Sequence, residues 1–166
     1  EIEIEPSYNY SRRDAQWVEN VDSDGDGEDD RFIFGELINK TFEIGIRGTW
    51  AFTPFLSTQL FLQPFVTTGG YDQIKELARP RSYDFVPYDG LDENPDFRRR
   101  SLRFNLVTRW EYAPGSTIFV VWQQNRDRAF DDTRDPDFDP LGDAGRSFGD
   151  EGDNIFLVKV NRWIGL

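Results

Sequence analysis

The sequence contains no cysteine and no histidine. Without cysteine there are no disulfides and no thiolate metal sites, and without histidine the commonest general base and transition-metal ligand are gone. Most hydrolase triads are therefore excluded. No stretch approaches the roughly 18 consecutive apolar residues of a membrane-crossing helix. Barrel strands stay open, because they show only alternation and keep mean hydropathy low, here -0.66. Methionine is absent too, and no signal-peptide pattern precedes Glu1, which already stands in an alternating segment. The chain reads as a mature product or a piece of a longer protein. Bases are scarce: 19 against 31 acids gives a net charge of -12, which disfavours nucleic acid and other polyanions.

What is abundant is aromatic side chain, 16% of 166 residues, and it falls in an alternating pattern. In Ser101–Asn125, Leu102, Phe104, Leu106, Trp110 and Tyr112 share one face while Arg103, Asn105, Arg109 and Glu111 share the other, the period of two of a strand between unlike surroundings. Ala113, Pro114, Gly115 and Ser116 are turn chemistry between its two arms. The same alternation predicts strands over about 1–10, 41–53, 57–68, 100–113, 116–126 and 154–166. Long acidic loops are expected over about 11–31, 71–99 and 127–153, with a helical turn at Gln73 to Ala78. Pro6 makes its segment either an edge strand or irregular near that point. The expectation is an all-β, antiparallel up-and-down meander of about six strands in a single β domain, 1–166. Short and long connections alternate, as in outer-membrane barrels, and Leu166 ends a terminal apolar strand. Six strands are fewer than the eight of the smallest common closed barrels. The chain is therefore expected to be the C-terminal part of a larger barrel, one contributor to a shared barrel, or a soluble sheet.

Three groups of residues are candidates for function. Asp22, Asp24 and Asp26 followed by Gly27 match the first half of a calcium loop, with Glu28 and Asp30 as further acids. Ile33 stands where the bidentate Glu belongs, so the competing reading is a solvated acidic loop. Glu43, Arg47, Arg103, Arg109, Glu111 and Lys159 occupy the polar face and would line a lumen, either pairing across strands to fill it or forming a pore. Trp50, Trp110, Tyr112, Trp122 and Trp163 read as interfacial girdle residues rather than sugar platforms. No catalytic set is evident.

The blocks FGEL at Phe34–Leu37, Phe52–Tyr71, Ser101–Gln124 and Asp153–Leu166 resemble the C-terminal part of an uncharacterised bacterial family. Its members join an N-terminal carbohydrate-binding family 9-like module to a large C-terminal domain that resembles an outer-membrane barrel. The resemblance implies a location in the outer membrane of a diderm bacterium, contact with its lipids, and an N-terminal part carrying the sugar-binding module and further strands. Together these readings predict a non-catalytic anchor or pore of an envelope protein that handles glycans or nutrients. The alternatives are a secreted, calcium-stabilised β-sheet domain for adhesion or carbohydrate binding, and a surface hydrolase.

Overall fold

A computed structural model of the chain describes residues 1–130 and 138–165. The expectations for the acidic stretch at 131–137 and for Leu166 lie outside the described residues. The fold is an antiparallel meander of β1 (Ile2–Val21), β2 (Arg31–Thr53), β3 (Leu56–Leu77), β5 (Phe97–Ala113), β6 (Ser116–Phe130) and β7 (Gly152–Asn161). A short strand β4 (Phe85–Pro87) pairs with the far end of β3. A helix α1 (Pro140–Arg146) and a 3-10 turn (Ser147–Gly149) lie between β6 and β7. The sheet is open: β1 and β7 are its edges, and they do not pair with each other among the described residues. Pro6 sits in edge strand β1, where a missing N–H is tolerated.

The strands run further than alternation alone suggests. Ser11–Val21 continues β1 through register shifts between Arg13 and Gln16 and between Trp17 and Glu19, so one unbroken period of two does not survive there. Only the nine-residue connection 22–30 remains as the acidic loop between β1 and β2. The helical turn expected at Gln73 to Ala78 is absent; β3 extends to Leu77 through a bulge opposite Phe34–Glu36, with Gln73 at a φ of 49°. Both tight turns appear, Pro54–Phe55 and Pro114–Gly115, and Gly115 takes a positive φ of 72° that other residues adopt with strain.

Register assigns the two faces. One carries Ile4, Ile46, Leu62, Phe104, Gln124 and Asn154, and their neighbours two positions on; it is apolar over most of its height. The opposite face carries Glu43, Phe65, Ser101 and Asp127 in one row, and Arg47, Phe61, Asn105 and Gln123 in another. The apolar face is largely uncovered: Ile2, Ile4, Phe52, Val120, Phe156 and Val158 are exposed.

The turns are staggered. Leu56, at the first turn, pairs with Trp110, but β5 continues to Ala113 before the second turn. Three residues of about 3.4 Å over two strand spacings of about 4.8 Å incline the line of turns by about 45° to the cross-strand rows. The other border of the apolar band slants the same way, from Lys40 on β2 through Thr68 and Arg100 to Arg126 on β6. Between turn and border the band spans Leu56 to Val66 on β3 and Leu102 to Tyr112 on β5. About ten residues at that tilt stand about 24 Å high.

Candidate functional site

On the polar face the cross-strand row Gln63, Arg103, Asn125, Asp153 lies beside the row Phe61, Asn105, Gln123, Ile155. A concave cavity of about 440 Å³ opens over these rows, lined by Phe61, Arg103, Asn105, Gln123, Asn125 and Asp153. A second of about 440 Å³ adjoins it at Arg103 and is lined by Glu43, Gln63, Phe65, Arg99 and Asp127. The second is internally satisfied. Arg99 grips Asp127 with Nε and Nη2 at 2.8 to 3.0 Å, and Gln63 Nε2 donates to Glu43 at 3.3 Å. The first is not. Arg103 and Asp153 make no ion pair among the described residues, and Asn105 Oδ1 is buried without a hydrogen-bond partner. A buried acceptor left unmatched in this way is destabilising.

The other face binds its charges differently. The segment from Phe138 to Gly149 crosses its loop end as a strap: Phe138 packs at 5.9 Å on Tyr8, α1 contacts β3 and β5, and the 3-10 turn contacts β5 and β6. Asp139 caps α1 by accepting from Gly142 N at 3.0 Å, and Pro140 presets its first turn. Asp143, fully buried, accepts from Arg98 at 2.6 Å, Arg100 at 3.1 Å and Arg146 at 3.0 Å. Asp150 accepts from Arg100 at 2.6 and 2.7 Å, while Arg126 donates to its carbonyl. Val66, Thr68 and Leu102 are buried on the same loop end of this face. Burial pushes the Asp143 carboxyl up, but the hydrogen bonds from Arg98, Arg146 and Arg100 outweigh it and hold the group below its ordinary value. The Arg100 hydrogen bonds hold Asp150 low as well, against burial.

A family model described as a domain of unknown function (DUF5916) matches residues 1–165. The chain belongs to this family. No curated protein and no solved structure matches it.

All six charges expected on the polar face of this DUF5916 chain fall on that one face by register. They do not form one cluster. Arg47 pairs with Glu5 and lies 5.6 Å over the Phe61 ring, Arg109 pairs with Glu111 at 2.9 Å, and Lys159 stands opposite Phe119 near the turn end. Asn105, Gln123 and Asn125 lie in expected strands without a signal that singles them out, whereas Asp153 falls in the expected acidic loop and reaches the face of Arg103 only because β7 begins at Gly152. Asp143 and Asp150 carried no local signal, since their arginine partners on β5 lie 43 to 50 residues away.

In the acidic loop Asp22, Asp24 and Asp26 bring carboxylate oxygens within 4.8 Å of one another. Glu28 and Asp30 stay outside that group. Asp30 instead accepts from Ser23 N at 2.9 Å and Ser23 Oγ at 2.6 Å. Asp22 accepts from Gly27 N at 2.8 Å and Gly25 N at 2.7 Å, which lowers its pKa. Of the expected girdle residues, Trp50, Trp110, Tyr112 and Trp163 stand toward the turn end. Trp50 lies over Gly48, where any Cβ would meet its ring at 2.3 Å, and Trp163 N donates to Ser116 Oγ at 3.0 Å. Trp122 lies mid-strand, between Leu106 and Phe156, stacked on Phe156 with ring centroids 5.6 Å apart.

Proposed function

We propose that this chain supplies strands of an outer-membrane β-barrel, serving as the anchor or pore of an envelope protein in a diderm bacterium. The carrying observation is the inclined apolar band. Its slant of about 45° matches the tilt of transmembrane strands, and its height of about 24 Å matches the apolar band of outer-membrane barrels. In this reading the exposed face of Ile4, Phe52 and Val158 meets lipid, the turn-end rings of Trp50, Trp110, Tyr112 and Trp163 lie at the periplasmic interface, and the face of Glu43, Arg47, Arg103, Arg109, Glu111 and Lys159 turns to water inside. The open edges of β1 and β7 pair with further strands of the same protein or of another copy. Association with glycans rests on the family resemblance through its sugar-binding module, and the region is non-catalytic.

Purified protein added to phospholipid vesicles is expected to require detergent beforehand, to insert, and to resist protease along its strands. Protein that is monodisperse in buffer without detergent would sink the membrane reading. A second reading, a secreted β-sheet domain stabilised by calcium, draws on the convergence of Asp22, Asp24 and Asp26. It requires that same detergent-free solubility together with a melting midpoint that a chelator lowers.

A further inference from the structure

We propose that the cavity between Arg103 and Asp153 binds a small zwitterion, an amino acid or short peptide with free amino and carboxyl ends. For its setting this rests on the barrel reading, in which the cavity faces the interior; the chemistry comes from the cavity itself. Arg103 and Asp153 lie on one cross-strand row with Asn125 between them, two strand spacings or about 10 Å apart at Cα. Both line the same space of about 440 Å³, within the usual size of ligand sites, yet neither makes an ion pair among the described residues. Opposite charges that share a cavity without meeting leave a gap that one molecule carrying both charges closes.

The walls fit the middle of such a molecule. Arg103 offers a planar fork of donors to a carboxylate, and Asp153 accepts from an ammonium group. Gln123 and Asn125 match the donor and acceptor of a peptide bond. Phe61 and Ile155 give an apolar wall for a side chain. A zwitterion has no net charge, so the charge of -12 does not repel it as it would an anion. The neighbouring cavity lacks this character, because Arg99 and Asp127 already satisfy each other.

Calorimetric titration of the full chain in detergent with alanyl-alanine, its N-acetyl form, its amide, the doubly blocked peptide and glucose tests this. The free dipeptide is expected to bind, and blocking either end to weaken binding about tenfold, the worth of one charged hydrogen-bonded contact. Arg103→Gln should remove the preference for a free carboxylate, and Asp153→Asn the preference for a free amine. The blocked-ligand series uses unaltered protein, so it decides the matter even if a variant misfolds. Equal binding of free and doubly blocked peptide, binding of glucose alone, or no binding overturns the proposal. Vesicle insertion without dipeptide binding removes this site and leaves the barrel. Dipeptide binding by protein that needs no detergent removes the barrel and leaves the site.

Discussion

Arg100 and Arg103 stand three positions apart on β5 and point to opposite faces of the sheet. Arg100 is buried beneath the strap, held by Asp150 at 2.6 and 2.7 Å and by Asp143 at 3.1 Å. Arg103 projects into an open cavity, and no acid among the described residues pairs with it. The same side chain thus serves two ends. A guanidinium with an acid on each of its three nitrogens fixes a segment in place, whereas one whose donors face solvent keeps its charge available to a ligand. The first use makes removal of a partner expensive, because an uncompensated buried charge remains. The second leaves the fold almost indifferent to its loss.

The strongest way to break this comparison is at the acid under the strap. Asp143→Ala is expected to cost about 3 to 5 kcal/mol, by leaving Arg98 and Arg100 short of a buried partner. It should appear as lost hydrogen-exchange protection over α1 and a lower chemical-unfolding midpoint. Arg103→Ala should stay within about 0.5 kcal/mol of the parent. Equal losses for the two variants would erase the distinction between them.

Acidification probes the same contrast more gently, because a protonated acid still offers hydrogen bonds. Asp143 and Asp150 are held below their ordinary value of 3.8 in the folded chain, so their contribution is complete above that pH. It is lost as pH falls from there through the depressed folded values. Amide exchange over 140–150 should therefore be steady from neutral pH down to about pH 5 and faster, relative to its intrinsic rate, below the ordinary carboxylate range. Strap protection that persists unchanged to pH 2 would show that packing against β3 and β5 holds it instead.

The cavity predicts an effect of opposite sign. Asn105→Leu removes a buried acceptor that has no partner among the described residues and should stabilise the chain by about 1 kcal/mol, read from the unfolding midpoint. A gain in stability there together with loss of dipeptide binding would mark Asn105 as kept for binding. A loss of stability would mean that water already satisfies it.

The two arginines also divide what was legible in the sequence from what was not. Placing Arg103 on a polar face beside Glu43 and Arg47 needs only a period of two, which the sequence displays. That Arg103 meets no acid among the described residues depends on cross-strand register, which puts Gln63 and Asn125 opposite it. The strap was invisible for a related reason. Its acids sit in a stretch that reads as a polar loop, and what orders it is Arg98 and Arg100 on β5 and Arg126 and Arg128 on β6, aligned by that register. Bulges hid the second half of β1 and the end of β3 by interrupting alternation where the chain is still paired. The candidate cation loop was legible as spacing, but Glu28 and Asp30 stand outside its group, and Ser23 occupies Asp30.

That loop offers a third way to settle a charge, intermediate between the strap and the cavity, and the smallest effect. Among the described residues Asp22 is satisfied not by a cation but by the amides of Gly25 and Gly27, two glycines at φ of 76° and 92°. Asp22→Asn keeps the shape and removes the charge that strengthens those bonds. Exchange of the Gly25 and Gly27 amides should quicken while α1 and the sheet are unaffected. If Asp22 is instead a calcium ligand first, adding millimolar calcium to the parent should change exchange at Asp24 and Asp26 as well, and the variant should lose that response. A change confined to Gly25 and Gly27, indifferent to calcium, would place the loop with the strap, as a charge consumed by its own structure.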